Sequence, residues 1–340
     1  MKVLFVGLGS IGQRHLRNLK ELANSELEIF VYRKTNHNLI IEDGLAVESD
    51  SLSKHYGYKQ TASLADGLAC KPQIVFITNP TSEHIAVALA CAKAGAHVFI
   101  EKPLSSNFHY IPEFLAIVEQ NKLVVSVGYQ TKYNPIFQNV MSLISERRFG
   151  NIISADFEWG TYLPDHHPYE DYRKGYAANA SLGGGVTLGL IHEIDLIYSF
   201  FGVPEQIHAI GGNLSPLEMT AEDTISALMR FDIDGKAVPV TLRLSYAQVH
   251  ETRSFRIQFD KGFLICDLVA NSLVVYGSEG KILLQEEYGS IDRNQMFKDQ
   301  LVDFLDRVAS EDSSLSSLQG GIETLSIALI IKEKIYGKNL

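Results

Sequence analysis

The sequence predicts two joined architectures. Residues 1–128 read as an α/β unit with a doubly wound parallel sheet, and residues 129–340 as an α+β unit with a largely antiparallel open sheet and helices. Three observations carry this reading. Up to about residue 128, short β-branched apolar runs alternate with helical patterns. The first of those runs leads into the glycine-rich turn Gly7-Leu8-Gly9-Ser10-Ile11-Gly12. Beyond residue 150 the alternation gives way to strands joined by tight-turn signals.

The runs at 3–6, 29–31, 74–77, 98–100 and 124–127 are almost continuously apolar, as parallel strands covered on both faces must be. Helical periodicity between them falls at 11–22, 82–94 and 108–121, so the segment is built from βαβ units with right-handed crossovers. Residues 33–60 carry a weaker pattern, with a short helix at 51–56. In the second unit a helix is expected at 135–147, a strand at 152–159, a polar aromatic loop at 161–180 and one apolar helix at 185–201. Asp234-Gly235 between two apolar runs is a hairpin signature. Pro239 implies an edge or a bulge in its strand. Strict alternation at 254–259 leaves one strand face buried and the other free for a subunit contact, and helices at 295–309 and 321–336 close the chain.

A formal net charge of -10 argues against nucleic acid or an anionic membrane as the partner. The 16-residue apolar stretch ending at Ile100 holds Lys93 and His97, which disqualifies it as a membrane span. The opening run breaks at Gly7 and Gly9 and continues into Gln13-Arg14-His15, so it reads as strand and turn and not as a leader. Three widely separated cysteines form neither a disulfide framework nor a zinc spacing, in keeping with a reducing cytoplasm.

Gly7, Gly9 and Gly12 form G-x-G-x-x-G at a strand-to-helix turn. There Gly7 permits the tight turn, Gly9 lets backbone approach a pyrophosphate, and Gly12 allows close helix packing. With Ser10 and Ile11 opening the helix, unpaired N–H groups and the positive dipole end are offered to the phosphates. The context is that of a dinucleotide-binding Rossmann unit. About 20 residues on, where an acidic side chain would take the ribose 2′-hydroxyl, the sequence has Tyr32-Arg33-Lys34. Arg33 suits a 2′-phosphate, which favours NADP with NAD also possible; the alternative is that Arg33 and Lys34 are solvated surface charges.

Two further stretches, Thr78-Asn79-Pro80-Thr81-Ser82-Glu83-His84 and Glu101-Lys102-Pro103, follow the runs at 74–77 and 98–100. Together with the glycine motif, Gly128-Tyr129-Gln130, residues 185–195 and the helix at 294–304, they resemble the Gfo/Idh/MocA family of sugar and cyclitol dehydrogenases over essentially the whole chain. The resemblance implies that Lys102 contacts both the nicotinamide ribose and the substrate hydroxyl, and that Lys102-Pro103 is a cis peptide. It further implies that Asn79 and Pro80, with His84 and Glu101, line the cofactor pocket. His192 becomes the proton shuttle, with imidazole chemistry suited to neutral pH. Residues 129–340 become the substrate-binding and oligomerisation unit, with Tyr129 and Asp195 beside the substrate and a homodimer or homotetramer as the assembly.

This sequence departs from the family in one place. Many members carry an aspartate four residues before the histidine, where Leu188 stands here, and leucine neither transfers a proton nor accepts a hydrogen bond. In the loop at 159–175, aromatics can stack on a sugar ring and Arg173 or Lys174 can bind a carboxylate or phosphate. The adjacent His166 and His167 lack a third ligand at metal spacing, so no metal is expected. The leading expectation is hydride transfer between the nicotinamide and a secondary alcohol or ketone of a sugar, nucleotide sugar, sugar acid or cyclitol. An NAD-assisted glycosidase and a non-catalytic NADP-binding regulator stay open beside it.

Overall fold

The apolar runs become a six-stranded parallel sheet because both of its faces are covered by helices. The computed structural model describes residues 1–23, 26–34, 38–42 and 44–337. In chain order the first unit comprises β1 (Lys2–Val6), α1 (Ser10–Leu22), β2 (Glu28–Tyr32), β3 (Leu39–Glu42), β4 (Leu45–Glu48), α2 (Leu52–Tyr56), β5 (Lys59–Gln60), α3 (Leu64–Ala69), β6 (Ile74–Ile77), α4 (His84–Lys93), β7 (His97–Ile100), α5 (Ile111–Gln120) and β8 (Val125–Val127). The sheet order is β5-β2-β1-β6-β7-β8, with every neighbouring pair parallel. Val3, Leu4, Phe5 and all four residues of β6 are sealed from solvent, which is why these strands do not alternate.

Where the sequence pattern was weak, at 33–60, the chain forms the β3–β4 hairpin. Its exposed Leu45 and Val47 leave β4 without a core-facing stripe to read. What holds it is Gln13 of α1: the amide nitrogen donates to the Leu39 carbonyl at 2.9 Å and the amide oxygen accepts from the Ile41 N–H at 2.8 Å.

The second unit begins with α6 (Pro135–Ser145) and β9 (Ile152–Tyr162) and continues through short 3-10 turns at 163–182 to α7 (Val186–Gly189) and α8 (His192–Phe201). Then come β10 (Gln206–Gly212), β11 (Thr224–Ile233), β12 (Lys236–Ser245), β13 (Ala247–Phe259), β14 (Phe263–Asp267), β15 (Ser272–Tyr276), β16 (Ile282–Glu287), α9 (Arg293–Ala309) and α10 (Ser316–Tyr336). Their eight strands form one sheet, β10-β11-β12-β9-β13-β14-β15-β16, antiparallel throughout except where β12 runs parallel to β9. The Asp234-Gly235 hairpin forms with both residues at positive φ, 54° and 77°, and the inward face of β13 packs Phe255 on Phe157 at 5.2 Å between ring centroids.

Two expectations are corrected. The single helix at 185–201 is two helices, because the chain leaves helical geometry at Leu190 and resumes at His192. Pro239 lies in an interior strand with no bulge against β11. The pairing of β12 with β9 starts only at Val240, so Pro239 faces β11 alone, where a missing N–H is cheaper.

The last two helices return to the first unit. Leu301 and Phe304 of α9 join Val3, Phe5, Phe76 and Phe99 in one buried cluster, with Phe304 edge-on to Phe99 at 5.5 Å. The Gln300 amide donates to the Val127 carbonyl at 3.0 Å, and the Val127 N–H donates to Ser317 Oγ of α10 at 3.0 Å.

Candidate functional site

The sheet order reverses direction between β1 and β6, and open α/β sheets bind ligands outside the carboxyl ends of the strands at such a point. Three loops meet there. The first is the glycine turn after β1. Gly7 has φ 93°, and a Cβ on it would stand 2.8 Å from the backbone of Thr78 and Asn79, so the turn is pressed against the loop after β6. A Cβ on Gly12 would stand 2.7 Å from Thr78 Oγ1, whose hydroxyl donates to the Gly7 carbonyl at 3.0 Å. Gly9 differs, since a Cβ there would meet nothing within 4 Å. As the residue capping α1 it supplies no side-chain hydrogen bond, so it leaves the first N–H groups of the helix uncapped. These residues fit a dinucleotide pyrophosphate.

The second and third loops are bound together by His84. Its Nδ1 lies 2.8 Å from the Pro103 carbonyl and its Nε2 2.8 Å from the Asn79 carbonyl, so the buried imidazole ties the two loops instead of reaching into the cleft. The Asn79 amide donates to Glu83 at 3.0 Å, and Glu83 is ion-paired with Lys34 at 2.5 Å. Arg33 follows directly on β2, half-buried, with its charge felt by the Tyr58 hydroxyl.

Glu101 turns under the sheet to His15 of α1, at 2.7 Å, and also accepts from the Lys102 N–H at 3.2 Å. Lys102 precedes a cis peptide to Pro103 and donates its ammonium to the Gly189 carbonyl at 2.9 Å. That carbonyl is available because α7 ends at Gly189. A side chain there would collide with the Tyr246 hydroxyl, 1.7 Å from the would-be Cβ.

His192 opens α8 after the break. It is buried, with Nε2 at 3.2 Å from the Gln130 amide nitrogen and its ring 6.0 Å from that of Tyr129. Burial, and then the charges of Lys102, Arg253, Arg293 and Lys132, hold its pKa well below the ordinary 6.5, so the ring is neutral at physiological pH. Leu188 is a core side chain of α7. The carboxylates of α8 are already engaged: Asp195 is 3.0 Å from the Lys132 ammonium and accepts from Thr324, and Glu193 is 2.6 Å from Arg253. Burial raises the pKa of both.

The loop at 163–182 reaches across this cleft. Burial first, then His167, lowers His166 to about 4, and His166 feels the charge of Lys102. Tyr169 pairs with His167 at 3.1 Å and comes within hydrogen-bonding reach of Ser10 in the glycine turn. Arg173 is held by Asp171, at 2.7 and 2.9 Å, and by Glu218 at 3.3 Å. Among the described residues no group of three or more His, Cys, Asp or Glu side chains could hold a metal, and no helix is long and apolar enough to cross a membrane.

Sequence reasoning missed His15, Arg293 and the Gly189 carbonyl. The spacing of His15 after the glycines was a visible signal. The carbonyl was not, because it depends on the helix break.

The family description "Oxidoreductase family, NAD-binding Rossmann fold" matches residues 1–129, and the GFO/IDH/MocA C-terminal domain matches residues 137–283. The chain belongs to the Gfo/Idh/MocA family of oxidoreductases. Among its relatives, a myo-inositol 2-dehydrogenase of Thermotoga maritima is 24% identical over 353 residues, covering 99% of this chain and 97% of that protein. Two solved structures share the fold. The UDP-N-acetylglucosamine 3-dehydrogenase of Acidithiobacillus ferrooxidans has a TM-score of 0.76 at 20% identity, covering 98% and 97% of the two chains. The biliverdin reductase of a Synechocystis species, solved with biliverdin and NADP+, has a TM-score of 0.79 at 16% identity, covering 98% of each. As a member of this family the chain is an NAD(P)-binding oxidoreductase.

The two glycines of the turn should separate folding from binding. Gly7→Ala is expected to cost about 2–5 kcal/mol from positive φ and backbone collision. Gly9→Ala should cost less than about 1 kcal/mol while weakening dinucleotide binding about 10-fold or more. Denaturant titration and cofactor fluorescence check this, and equal destabilisation by both would make the turn merely structural.

Proposed function

We propose that this oxidoreductase transfers a hydride between NAD(P) and a secondary alcohol or ketone of a sugar, nucleotide sugar, sugar acid or cyclitol. The observation that carries the reading is the placement of Lys102. Its ammonium sits at the carboxyl end of β7 beside the switch point and reaches the helix break three residues before a neutral, buried His192. The relatives named for myo-inositol and UDP-N-acetylglucosamine support the substrate class. Residues 1–128 are assigned to the cofactor and 129–340 to the substrate. Assembly as a homodimer or homotetramer is assigned to the outer face of the eight-stranded sheet, which exposes Leu228, Thr241, Arg243 and Arg256.

When bound, the nicotinamide supplies or accepts the hydride. Lys102 exchanges the neutral Gly189 carbonyl for the substrate oxygen and stabilises negative charge developing there. His192, neutral because burial and neighbouring cations disfavour its protonation, takes the hydroxyl proton in oxidation and returns it in reduction. With its amide turned so that the oxygen accepts the Nε2–H, Gln130 orients the ring and leaves the unpartnered Nδ1 to take and return the proton. With Leu188 apolar and both α8 carboxylates paired, Lys102 and His192 carry the proton chemistry between them. NADP is assigned as the preferred cofactor and NAD as an accepted one, with Arg33 taking the 2′-phosphate.

A panel of sugars, sugar acids and cyclitols with NAD or NADP should change the reduced-nicotinamide absorbance. Lys102→Ala should lower kcat at least about 100-fold, the scale of a lost oxyanion donor, with cofactor affinity retained. Cleavage of a chromogenic glycoside without net cofactor change, or cofactor binding without any turnover, would replace this reading. Because the pKa of His192 lies well below 6.5, kcat/KM for oxidation should hold steady from pH 8 to 6.5 and fall only below that. An acid limb at or above 6.5 would remove His192 from the role. Arg33→Ala is expected to weaken NADP binding about 10-fold with NAD unchanged, since a charged contact to phosphate contributes roughly 1.5 kcal/mol; equal loss for both rejects the 2′-phosphate assignment.

A further inference from the structure

Of the four cations whose charge reaches His192, three have partners of their own. Lys132 has Asp195 at 3.0 Å. Arg253 has Glu193 at 2.6 Å and lies 4.0 Å over the Trp159 ring. Lys102 has the Gly189 carbonyl. Arg293 is the exception: among the described residues it has no carboxylate at ion-pair distance and donates no hydrogen bond.

Arg293 is the first residue of α9, and its neighbour Asn294 fixes where it stands. Asn294 Oδ1 accepts from Arg14 at 2.9 Å and from Asn18 at 3.1 Å, while its amide donates to Asn18 at 3.0 Å, so this end of α9 is clamped to α1 beside the glycine turn. The Arg293 side chain is exposed to solvent, and partial burial by the groups around it lowers its pKa. Arg14 and Arg253 lower it further. Its charge is felt by His166, His167 and His192, the side chains of the proposed substrate opening. Two carboxylates lie within electrostatic reach, and both have other partners: Glu251 accepts from the Trp159 indole N–H at 3.2 Å, and Glu101 is bound to His15.

We infer that Arg293 is an anion anchor in the substrate cleft, and that the substrate is a sugar bearing a carboxylate or a phosphate instead of a neutral sugar or polyol. The inference rests on the sugar reading above and narrows it. A guanidinium that keeps its charge at any working pH, with no counter-charge of its own, offers a planar two-pronged donor to either group. The dinucleotide carries phosphates too, so the test separates the two sources.

Protein loaded with NADH is titrated with D-glucuronate, D-glucose 6-phosphate, D-glucose and myo-inositol, following nicotinamide fluorescence. At least one of the two anions should bind about 10-fold or more tightly than both neutral compounds, the scale of one charge-assisted contact. Arg293→Ala should erase that difference, Arg293→Lys should keep part of it, and the NADH dissociation constant and the thermal midpoint should stay unchanged in both. The inference is overturned if neither anion is preferred by the unaltered protein, or if Arg293→Ala weakens anions and neutral sugars alike. Loss of NADH affinity by the same factor would assign the anion to the cofactor and overturn it as well. Binding is read here without turnover, so failure of the dehydrogenase reading shows separately, as an absence of absorbance change with every alcohol.

Discussion

The contact between His15 and Glu101 is the one on which the arrangement depends. It joins the helix that opens at the glycine turn to the strand end that carries Lys102, at 2.7 Å and out of reach of solvent. The rings of Phe76, Phe99 and Phe297 surround the imidazole at 4.8–5.9 Å. Removing one partner of such a buried hydrogen bond costs about 1–3 kcal/mol, because the other is left unsatisfied and without water. The distance from phosphate turn to ammonium is therefore set by a rigid link beneath the sheet. His84 sets the second distance, between the loops after β6 and β7, by bridging two carbonyls.

Around that frame the second unit contributes a helix with a break in it. An unbroken helix from Val186 to Phe201 would consume the Gly189 carbonyl in its own ladder. The interruption leaves that oxygen for Lys102 and turns His192 toward Gln130. Glu222 holds the entry to the broken segment. Its backbone carbonyl accepts from Val186, its carboxylate from Lys332 at 3.0 and 3.1 Å and from Tyr336, and Gly185 leaves it room. A buried carboxylate thus positions backbone while the chemistry is left to side chains.

Much of this was legible in the sequence because it follows from local rules. Parallel strands covered on both faces read as apolar runs, the Asp234-Gly235 turn names its own geometry, and the glycine spacing marks the phosphate turn. The β3–β4 hairpin was not legible, since Gln13, 26 and 28 residues away, is what holds it. The helix break was hidden by an apolar composition that suits a continuous helix equally well. Asp195 and Arg173 looked available from their types and spacing, but their partners Lys132, Asp171 and Glu218 are set by tertiary packing. Arg293 is illegible for the reverse reason, because nothing in its neighbourhood along the chain tells that a partner is missing.

The return of α9 to the first sheet has a consequence in time. Phe5 and Phe76 emerge from the ribosome well before Leu301 and Phe304, which share their core. Domains commonly fold as they are synthesised, the N-terminal one first. Here the first sheet keeps part of its apolar face open until Leu301 and Phe304 have been made. The half that is written first is therefore completed only after most of the second unit has been made.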